Sequence, residues 1–225
     1  MLAKWRNSLA KAKVKVVTGY IPIAGHPRTP QEYGALGEQL RDLKAPVQPF
    51  YGVVTSCWLY DLIRTLPFEP IWAVADNPQK NTLAYHCVQH QKFQWLYDAM
   101  KMDNDSDVFV WLDYGICHVP GVTPGVINAF LDRVKRNDTA IPGCWPVGNV
   151  DDSFPCWRFC GGLMVIDRRD VQPLKNLLQA ITMLHLNVTK KVVWETNTLA
   201  RVEQTGKIPI RWYLADHNES MFENY

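Results

Sequence analysis

The chain has 225 residues, with 24 lysines and arginines against 22 aspartates and glutamates, so its net charge is close to zero. This length fits one large domain with a full hydrophobic core better than two domains. The near balance of charge argues neither for nor against a polyanionic partner. Basic residues are concentrated only at the start, which predicts a basic extension over residues 1–13 ahead of a single domain over residues 14–225.

The six cysteines include no Cys-x-x-Cys pair. The closest spacing, Cys156-x3-Cys160, lacks the second half of a zinc site, so we predict no structural metal there. Free cysteines in apolar surroundings indicate a reducing compartment, and we expect a cytoplasmic protein. The first fifteen residues lack an apolar signal segment and no stretch approaches the length of a membrane span, so no integral membrane contact is expected.

Strand and helix patterns alternate along the first half of the chain, which is typical of a parallel sheet. The predicted elements there are a strand over residues 14–20, a helix over 30–43, an extended piece over 47–54, a helix over 58–66 capped by Thr55 or Ser56, a strand over 68–75 ending in Asp76, and a helix over 81–102. The second half is less regular. Its predicted elements are a strand over 107–112, a helix from the Thr123 cap to Val134, strands over 139–145 and 157–167, helices over 171–184 and 190–204, and a strand over 208–214.

The most apolar run is Val108 to Leu112, which predicts a strand buried on both faces. This strand delivers Asp113 to its carboxyl end, followed by Tyr114 and Gly115. Open α/β sheets bind ligands at that edge, so Asp113 is well placed to hold a metal or a substrate. The alternative is a carboxylate that only caps a turn with Gly115.

Polar or glycine motifs stand at four ends of predicted strands and helices. They are Thr18-Gly19-Tyr20, Asp113-Tyr114-Gly115, Gly161-Gly162 with Glu195-Thr196-Asn197, and Asp216-His217-Asn218. In this order they resemble the nucleotide-sugar-dependent glycosyltransferases of the GT-A fold, with the HtrL/YibB-like group of bacterial proteins as the nearest match. The resemblance implies an α/β fold: a single-domain, Rossmann-like, mixed and mostly parallel sheet flanked by helices.

The resemblance also implies an activity, namely transfer of a sugar from a nucleotide-diphosphate-sugar donor to a hydroxyl acceptor, with Mn²⁺ or Mg²⁺ on the diphosphate. The metal ligands implied are Asp113 and His217, and Glu195 and Asp113 are the implied catalytic residues. Donor binding is implied for Thr18, Gly19, Tyr20, Arg28, Lys92, Asp113, Gly161 and Gly162. The acceptor is a carbohydrate or another hydroxyl compound, and the basic amino terminus leaves a nucleic-acid acceptor open, which salt-sensitive DNA binding would support.

These residue types suit the chemistry independently of the family. Breaking a bond between a sugar and a diphosphate develops negative charge, which a hard divalent cation stabilises. Oxygen donors with one imidazole suit Mn²⁺ or Mg²⁺, and Glu195 could accept a proton from the attacking hydroxyl. Because Gly115 replaces the second acid of the family's Asp-x-Asp motif, the metal would rely on His217, the diphosphate and water, or on Asp76 or Asp216 if either reaches the site. Loss of metal dependence is the alternative.

Each candidate also has a structural interpretation. His217 could be an exposed tail residue, Lys92 a solvated helix position, and Glu195 an acid that the helix dipole favours. His26 and Tyr33 could touch phosphates or belong to a turn. Three further histidines, His86, His90 and His118, are left unassigned, and Trp145 and Trp157 could form an aromatic platform for a sugar.

Two rival functions remain open. One is nucleotidyl transfer on the same sheet, which the absence of a glycine-rich phosphate loop after the first strand argues against. The other is a non-catalytic sugar- or nucleic-acid-binding protein.

Overall fold

The computed structural model describes residues 11–66 and 80–225. The predicted strand over 68–75, its terminal Asp76 and most of the basic extension over 1–13 lie outside these residues. The boundary predicted between the extension and the domain stays a prediction. Within the described residues, no helix combines the length and the apolar character that are needed to cross a bilayer.

In the part of the chain that the structure describes, a six-stranded sheet forms the centre of the fold. Its strands are β1 (Val14–Tyr20), β2 (Val47–Tyr51), β3 (Val108–Leu112), β4 (Thr139–Gly143), β5 (Leu163–Asp167) and β6 (Ile210–Leu214). The strands lie in the order β2-β1-β3-β5-β4-β6. Only β5 runs antiparallel to its neighbours, β3 and β4, whereas the other pairs are parallel. The predicted mixed, mostly parallel sheet is confirmed.

Helices cover both faces of this sheet. They are α1 (Pro30–Glu38), α2 (Tyr60–Ile63), α3 (Leu83–Met102), α4 (Pro124–Leu131), α5 (Arg168–Thr189), α6 (Glu195–Gln204) and α7 (Ser220–Glu223). Threonines begin two of these helices. Thr123 accepts from the backbone N–H of Val126, which confirms the predicted cap. Thr29, which was not predicted as a cap, forms a capping box with Glu32.

β3 is buried on both faces, as its sequence predicts. Phe109 and Trp111 point into one core layer, which α3, α5 and α6 cover, while Val108, Val110 and Leu112 point into the other, beneath α4 and α7. Each of these five residues is at most 1% exposed. Burial of such a side chain contributes about 1.5–3 kcal/mol, so β3 is held rigidly at the point where Asp113 follows it.

Several predicted boundaries are wrong. The helix predicted over 58–66 is shorter and is not capped by Thr55 or Ser56: α2 covers only Tyr60–Ile63. Residues Val54–Ser56 form a 3₁₀ turn, and the Ser56 hydroxyl donates to the Val53 carbonyl at 2.7 Å. The helix predicted over 30–43 ends at Glu38 and tightens into a 3₁₀ turn over Gln39–Asp42. The strand predicted over 139–145 ends at Gly143, because the N–H groups of Cys144 and Trp145 both bind the Trp157 carbonyl.

The two long helices of the second half are also shifted. α5 begins at Arg168, because the Asp167 carboxylate accepts from the Arg169 N–H, and it continues to Thr189. Lys190 then adopts a left-handed conformation with φ 56°, which separates α5 from α6 and moves the start of α6 to Glu195. Five further ends differ by two to six residues: α3 starts at Leu83, β5 at Leu163 and β6 at Ile210, while α4 stops at Leu131 and β2 at Tyr51.

Candidate active site

A cleft of about 330 Å³ opens at the carboxyl ends of β1 and β3. It is lined by His26, Arg28, Tyr33, Lys80, Tyr85, Gln89, Lys92, Asp113, Ile116, His118, Val119, Trp157, Gly161, Gly162, Trp194, Glu195, Thr196, His217 and Met221. The structure thus brings together residues that are far apart in sequence, from α3, from α6 and from the ends of β3 and β6. Most residues predicted to form the site lie here.

Lys92 connects the two predicted acids at the floor of the cleft. Its ammonium nitrogen lies 3.1 Å from Asp113 Oδ1 and 3.3 Å from Glu195 Oε1, and it donates to the Gly161 carbonyl at 2.9 Å. The Lys92 side chain is 3% exposed, so the interpretation as a solvated helix position is wrong. Burial by itself lowers the pKa of Lys92, but Asp113 and Glu195 outweigh it and raise that pKa above its ordinary value. Lys92 is therefore a charged, buried ion-pair partner.

Asp113 is held by its own strand. The Trp111 indole N–H donates to Asp113 Oδ1 at 2.8 Å, and the Asp113 backbone N–H donates to the Gly162 carbonyl at 3.0 Å. Since Lys92 also binds Oδ1, the second oxygen, Oδ2, is left for a ligand. The Asp113 side chain is 37% exposed, in contrast to the 5% of Glu195.

Glu195 is buried as the first residue of α6, where the helix dipole favours an acid. One oxygen, Oε1, binds Lys92, while Oε2 is buried and accepts no hydrogen bond from the described residues. An unsatisfied buried carboxylate oxygen costs free energy. Such an atom, beside a cleft, is suited to accept a proton from a ligand or a hydrogen bond from a ligand's hydroxyl group.

Gly161 has a packing role that its sequence did not predict. A Cβ at this position would lie 2.4 Å from Glu195 Oε1, whereas a Cβ at Gly162 would meet nothing nearer than Ile116 Cδ1 at 3.3 Å. The bare backbone at Gly161 therefore makes room for the ion pair of Lys92 with Glu195. Contact of both glycines with a donor stays a prediction.

The absence of a side chain at position 115 also has a steric cause. A Cβ there would lie 2.9 Å from the Tyr33 ring, so the position that holds the second acid of the family motif is closed to a side chain by α1. Of the two other acids considered for the metal, Asp216 is exposed after β6 and does not line the cleft, and Asp76 lies outside the described residues.

Three tyrosines form one wall beside Asp113. The Tyr20 and Tyr114 rings stack at 5.2 Å between centroids, and Tyr33 lies 5.2 Å from Tyr20 on the other side. Thr18 and Gly19, which precede Tyr20 in the predicted donor motif, are packed against other parts of the protein. Thr18 is buried, and a Cβ at Gly19 would overlap the Trp95 ring at 2.4 Å. The Tyr114 and Tyr33 rings are tilted by 23° and 37° to the Tyr20 ring, and an aromatic wall of this kind suits contact with a planar ring.

Two alanine substitutions in α1 test this wall. A Cβ at Gly37 would lie 2.0 Å from the Tyr114 ring, whereas Gly34 has open space around it. We expect Gly37→Ala to displace Tyr114 and to lower the free energy of unfolding by about 1–3 kcal/mol. Gly34→Ala, the matched control, is expected to raise it by about 0.5–1 kcal/mol. Urea denaturation of both variants measures the difference, and equal effects would contradict the packing described.

Arg28 and Lys80 add positive charge at the other side of the cleft. Neither forms an ion pair with a carboxylate of residues 11–66 or 80–225. Burial lowers the pKa of Lys80, as does the charge of Arg28, and Asp113 partly opposes them. Two cations that no carboxylate of the described residues neutralises favour an anionic ligand. Sequence reasoning missed Lys80, because it follows a stretch with no recognisable motif.

His217 lies in the cleft after β6. Its ring packs edge-on against Trp157 at 4.8 Å, and its Nδ1 lies 3.9 Å from Cys144 Sγ and 3.8 Å from Cys160 Sγ. The structure therefore places His217 and Asp113 in one cleft, as predicted, but directs Nδ1 of His217 toward two thiols. Trp157 lines the cleft, whereas Trp145 packs on Phe154 outside it.

His86 and His90, which carried no assignment, support the segment before Glu195. Both are buried, and one ring nitrogen of each lies within hydrogen-bond distance of the Val193 carbonyl: Nδ1 of His86 at 3.3 Å and Nε2 of His90 at 3.1 Å. Trp194 packs against the His86 ring. Asn197, from the predicted acidic helix start, ties the loop over residues 151–156 to α6 by binding the Asp151 and Phe154 carbonyls.

The two buried histidines predict a loss of stability in acid. Burial lowers the pKa of His86 from 6.5 to about 3. Since the unfolded chain binds this proton more readily, the contribution of His86 is full above pH 6.5 and falls as the pH drops toward 3. Between pH 8 and pH 5 we expect His86 to remove about 2 kcal/mol from the free energy of unfolding. Urea unfolding across this range should show a smaller decline in His86→Gln, and an unchanged decline would contradict the assignment.

The comparisons with known proteins concern the fold. No protein-family model and no curated protein sequence matches the chain. Solved structures of similar shape include a glycosyltransferase involved in the glycosylation of the major capsid of PBCV-1, at 14% identity and a TM-score of 0.49, covering 90% of this chain and 81% of that one. Mouse xyloside xylosyltransferase 1 in its apo form has 9% identity and a TM-score of 0.41, with 90% of this chain and 85% of that one covered.

A third similar structure is the 4-diphosphocytidyl-2C-methyl-D-erythritol synthase from Anaerococcus prevotii. It has 11% identity and a TM-score of 0.40, covering 92% of this chain and 88% of that one. At such identities no residue role is carried over from these proteins to this chain.

Proposed function

We propose that the protein transfers a sugar from a nucleotide-diphosphate-sugar donor to a hydroxyl acceptor. The observation that carries the proposal is one cleft that holds a buried carboxylate, Glu195, and two cations, Arg28 and Lys80. In the described residues, Glu195 Oε2 accepts no hydrogen bond and neither cation is paired with a carboxylate. An acid that can accept a proton and cations that can hold a diphosphate are the two requirements of this reaction.

The cations and the tyrosine wall would bind different parts of the donor. Arg28 offers a planar fork of N–H donors that matches phosphate oxygens, and Lys80 offers a point charge. Tyr20 and Tyr114 offer a face on which a nucleobase can stack. Lys92, predicted to contact the donor, is already neutralised by Asp113 and Glu195, so its role in the proposal is to position those two acids.

A hard divalent cation remains part of the proposal. Asp113 Oδ2 and the His217 nitrogen that faces away from the thiols, Nε2, are the protein donors that fit Mn²⁺ or Mg²⁺, with Mn²⁺ accepting imidazole more readily. When bound, such an ion would stabilise negative charge on the leaving diphosphate. The remaining ligands would come from the diphosphate and water.

Glu195 has the central chemical role in this proposal. The acceptor oxygen forms a bond to the anomeric carbon as the bond from that carbon to the diphosphate oxygen breaks, and Glu195 Oε2 accepts the proton of the hydroxyl. The ammonium of Lys92 holds Oε1 and keeps the carboxylate in place. The acceptor, whether carbohydrate or nucleic acid, and the narrower resemblance to the HtrL/YibB-like group both belong to this proposal.

A donor panel tests it. Purified protein is incubated with UDP-, GDP- and CMP-sugars, with and without Mn²⁺ or Mg²⁺, and hydrolysis and thermal shift are measured. We expect one donor to raise the melting temperature and to be hydrolysed slowly. Asp113→Asn should abolish hydrolysis with the fold intact, and Glu195→Gln should lower it about 100- to 10,000-fold. Asp105→Asn, at an exposed position, is the control and should have no effect.

Other outcomes would overturn the proposal. Activity that survives Asp113→Asn would remove that residue from the site. Release of pyrophosphate from a nucleoside triphosphate and a sugar phosphate would show nucleotidyl transfer instead. Binding of a nucleotide sugar without turnover, unchanged by metals, would show a non-catalytic binding protein.

A further inference from the structure

Three soft ligand side chains meet at the rim of the cleft. The Sγ atoms of Cys144 and Cys160 lie 3.7 Å apart, and Nδ1 of His217 lies 3.9 and 3.8 Å from them. Within residues 11–66 and 80–225, this is the one place where three or more histidine, cysteine or acidic side chains bring their ligand atoms close enough together to hold a metal ion. The sequence had directed attention to Cys156 with Cys160, a pairing that the fold does not make.

The three distances match the edges of a tetrahedral zinc site. With bonds of about 2.3 Å to sulfur and about 2.0 Å to nitrogen, two sulfurs of a tetrahedron lie about 3.8 Å apart, and a sulfur and a nitrogen lie about 3.5 Å apart. The two observed distances from sulfur to nitrogen, 3.9 and 3.8 Å, exceed the ideal value by a few tenths of an ångström, and the distance between the sulfurs, 3.7 Å, is close to its ideal value. A small inward movement of the side chains is therefore enough to bind an ion.

The backbone holds the three residues in this arrangement. Cys144 directly follows β4, and the Ala215 N–H donates to the Gly143 carbonyl at 3.0 Å, which aligns the end of β6 beside it. The Cys160 N–H donates to the Pro142 carbonyl at 2.7 Å, just before antiparallel β5. Since parallel β4 and β6 end where β5 begins, the sheet itself brings Cys144, Cys160 and His217 to one edge.

We propose that Cys144, Cys160 and His217 bind one Zn²⁺ ion, or a similarly soft divalent ion, at the rim of the cleft. Two thiolates and an imidazole select zinc over Mg²⁺ or Mn²⁺. Each thiol gives up its proton to solvent when the ion binds, so the site exchanges two protons for one ion. The fourth position is open to water or to a ligand from the cleft. Because Cys160 precedes Gly161 and Gly162, the ion would fix the segment that lies over Lys92.

This site and the hard-metal site of the proposed function share His217. A neutral imidazole has one lone pair, so zinc bound at Nδ1 leaves Nε2 protonated, and a hard cation would then rely on Asp113, the diphosphate and water. The zinc site is therefore an alternative use of His217. Its test is a binding measurement that needs no donor or turnover, so its failure leaves the proposed transfer untouched.

The experiment is a titration of the reduced, metal-free protein with Co²⁺ and then Zn²⁺. We expect one equivalent of Co²⁺ to produce a thiolate-to-cobalt charge-transfer band and the intense visible bands of tetrahedral coordination, and Zn²⁺ to displace it. Cys144→Ser and Cys160→Ser should each lose the charge-transfer intensity of one thiolate and weaken binding at least tenfold. Cys117→Ser, which leaves the cluster intact, and Asp113→Asn should both retain the full spectrum.

A measurement on the unaltered protein covers the case in which a variant does not fold. Zinc should protect two of the six thiols from a thiol reagent, and peptide mapping should identify these as Cys144 and Cys160. Absence of the charge-transfer band, or protection of other cysteines, would overturn the proposal. So would a disulfide between Cys144 and Cys160 in protein handled without chelator or oxidant, because it would show a redox pair instead.

Discussion

Replacing Lys92 with methionine is expected to lower the free energy of unfolding by about 3–5 kcal/mol, because it removes one partner of a buried ion pair and leaves the others. Glu195 Oε1 and Asp113 Oδ1 lie 3.3 and 3.1 Å from the ammonium nitrogen. Without that charge, two carboxylates face each other at the floor of the cleft. The Gly161 carbonyl also loses its donor at 2.9 Å. Urea denaturation at neutral pH measures the loss.

The pH dependence of this loss separates charge from packing. Methionine fills most of the volume of lysine, so a packing defect would be small and independent of pH. Repulsion between two carboxylates is relieved when one of them binds a proton, so the deficit should shrink as the pH is lowered from 8 to 5. A deficit that stays constant over this range would show that packing is the cause.

Two further variants complete the test of Lys92. Lys92→Met combined with Glu195→Gln removes one of the uncompensated charges and should recover a substantial part of the lost stability. Lys101→Met, at an exposed position of the same helix, should change stability by less than about 0.5 kcal/mol. A loss below about 1 kcal/mol for Lys92→Met alone would mean that the ion pair contributes little.

The sheet was predictable because its signals are local. The run from Val108 to Leu112 has no polar face, and a buried strand is the structure that tolerates this. Thr29 and Thr123 stand directly before prolines, and both begin helices as that pattern indicates. The predicted ends of strands and helices are wrong where a contact with a distant part of the chain decides the boundary. The Trp157 carbonyl ends β4 by binding two N–H groups, and no residue of β4 reveals this.

The candidate site was predictable in part for the same reason. Asp113, Glu195 and His217 each follow or begin an apolar element, so their place at one edge of the sheet could be inferred from topology. The partners of these residues could not be inferred in this way. Lys92 lies in a helix with no distinct polar face, and its burial depends on Gly161, which is 69 residues further along the chain. The meeting of Cys144 with Cys160 depends on the pairing of β4 with β5 and β6.

Substitution of Gly161 by alanine is the second change with a large expected effect. The added Cβ would lie 2.4 Å from Glu195 Oε1 and 3.3 Å from Lys92 Nζ. A contact of 2.4 Å is too short to persist, and Glu195 is buried, so its carboxylate has no solvent to move into. We expect a loss of about 1–3 kcal/mol in the free energy of unfolding. Urea denaturation of Gly161→Ala beside Gly162→Ala provides the measurement.

Gly162→Ala is the matched control, because its nearest new contact is the flexible end of the Ile116 side chain at 3.3 Å. Neither glycine is among those with positive φ, so backbone strain does not enter the comparison. We expect Gly162→Ala to cost less than about 1 kcal/mol. Equal losses in the two variants would contradict the steric argument.

A second-site change identifies the atom responsible. Glu195→Asp shortens the side chain by one methylene and withdraws its oxygens from position 161, so the combination with Gly161→Ala should be more stable than Gly161→Ala alone. If Gly161 instead only makes room for a donor sugar, the alanine variant would keep its stability, lose donor binding, and gain nothing from Glu195→Asp. The sign of this coupling between positions 161 and 195 therefore decides whether the glycine serves the ion pair or the ligand.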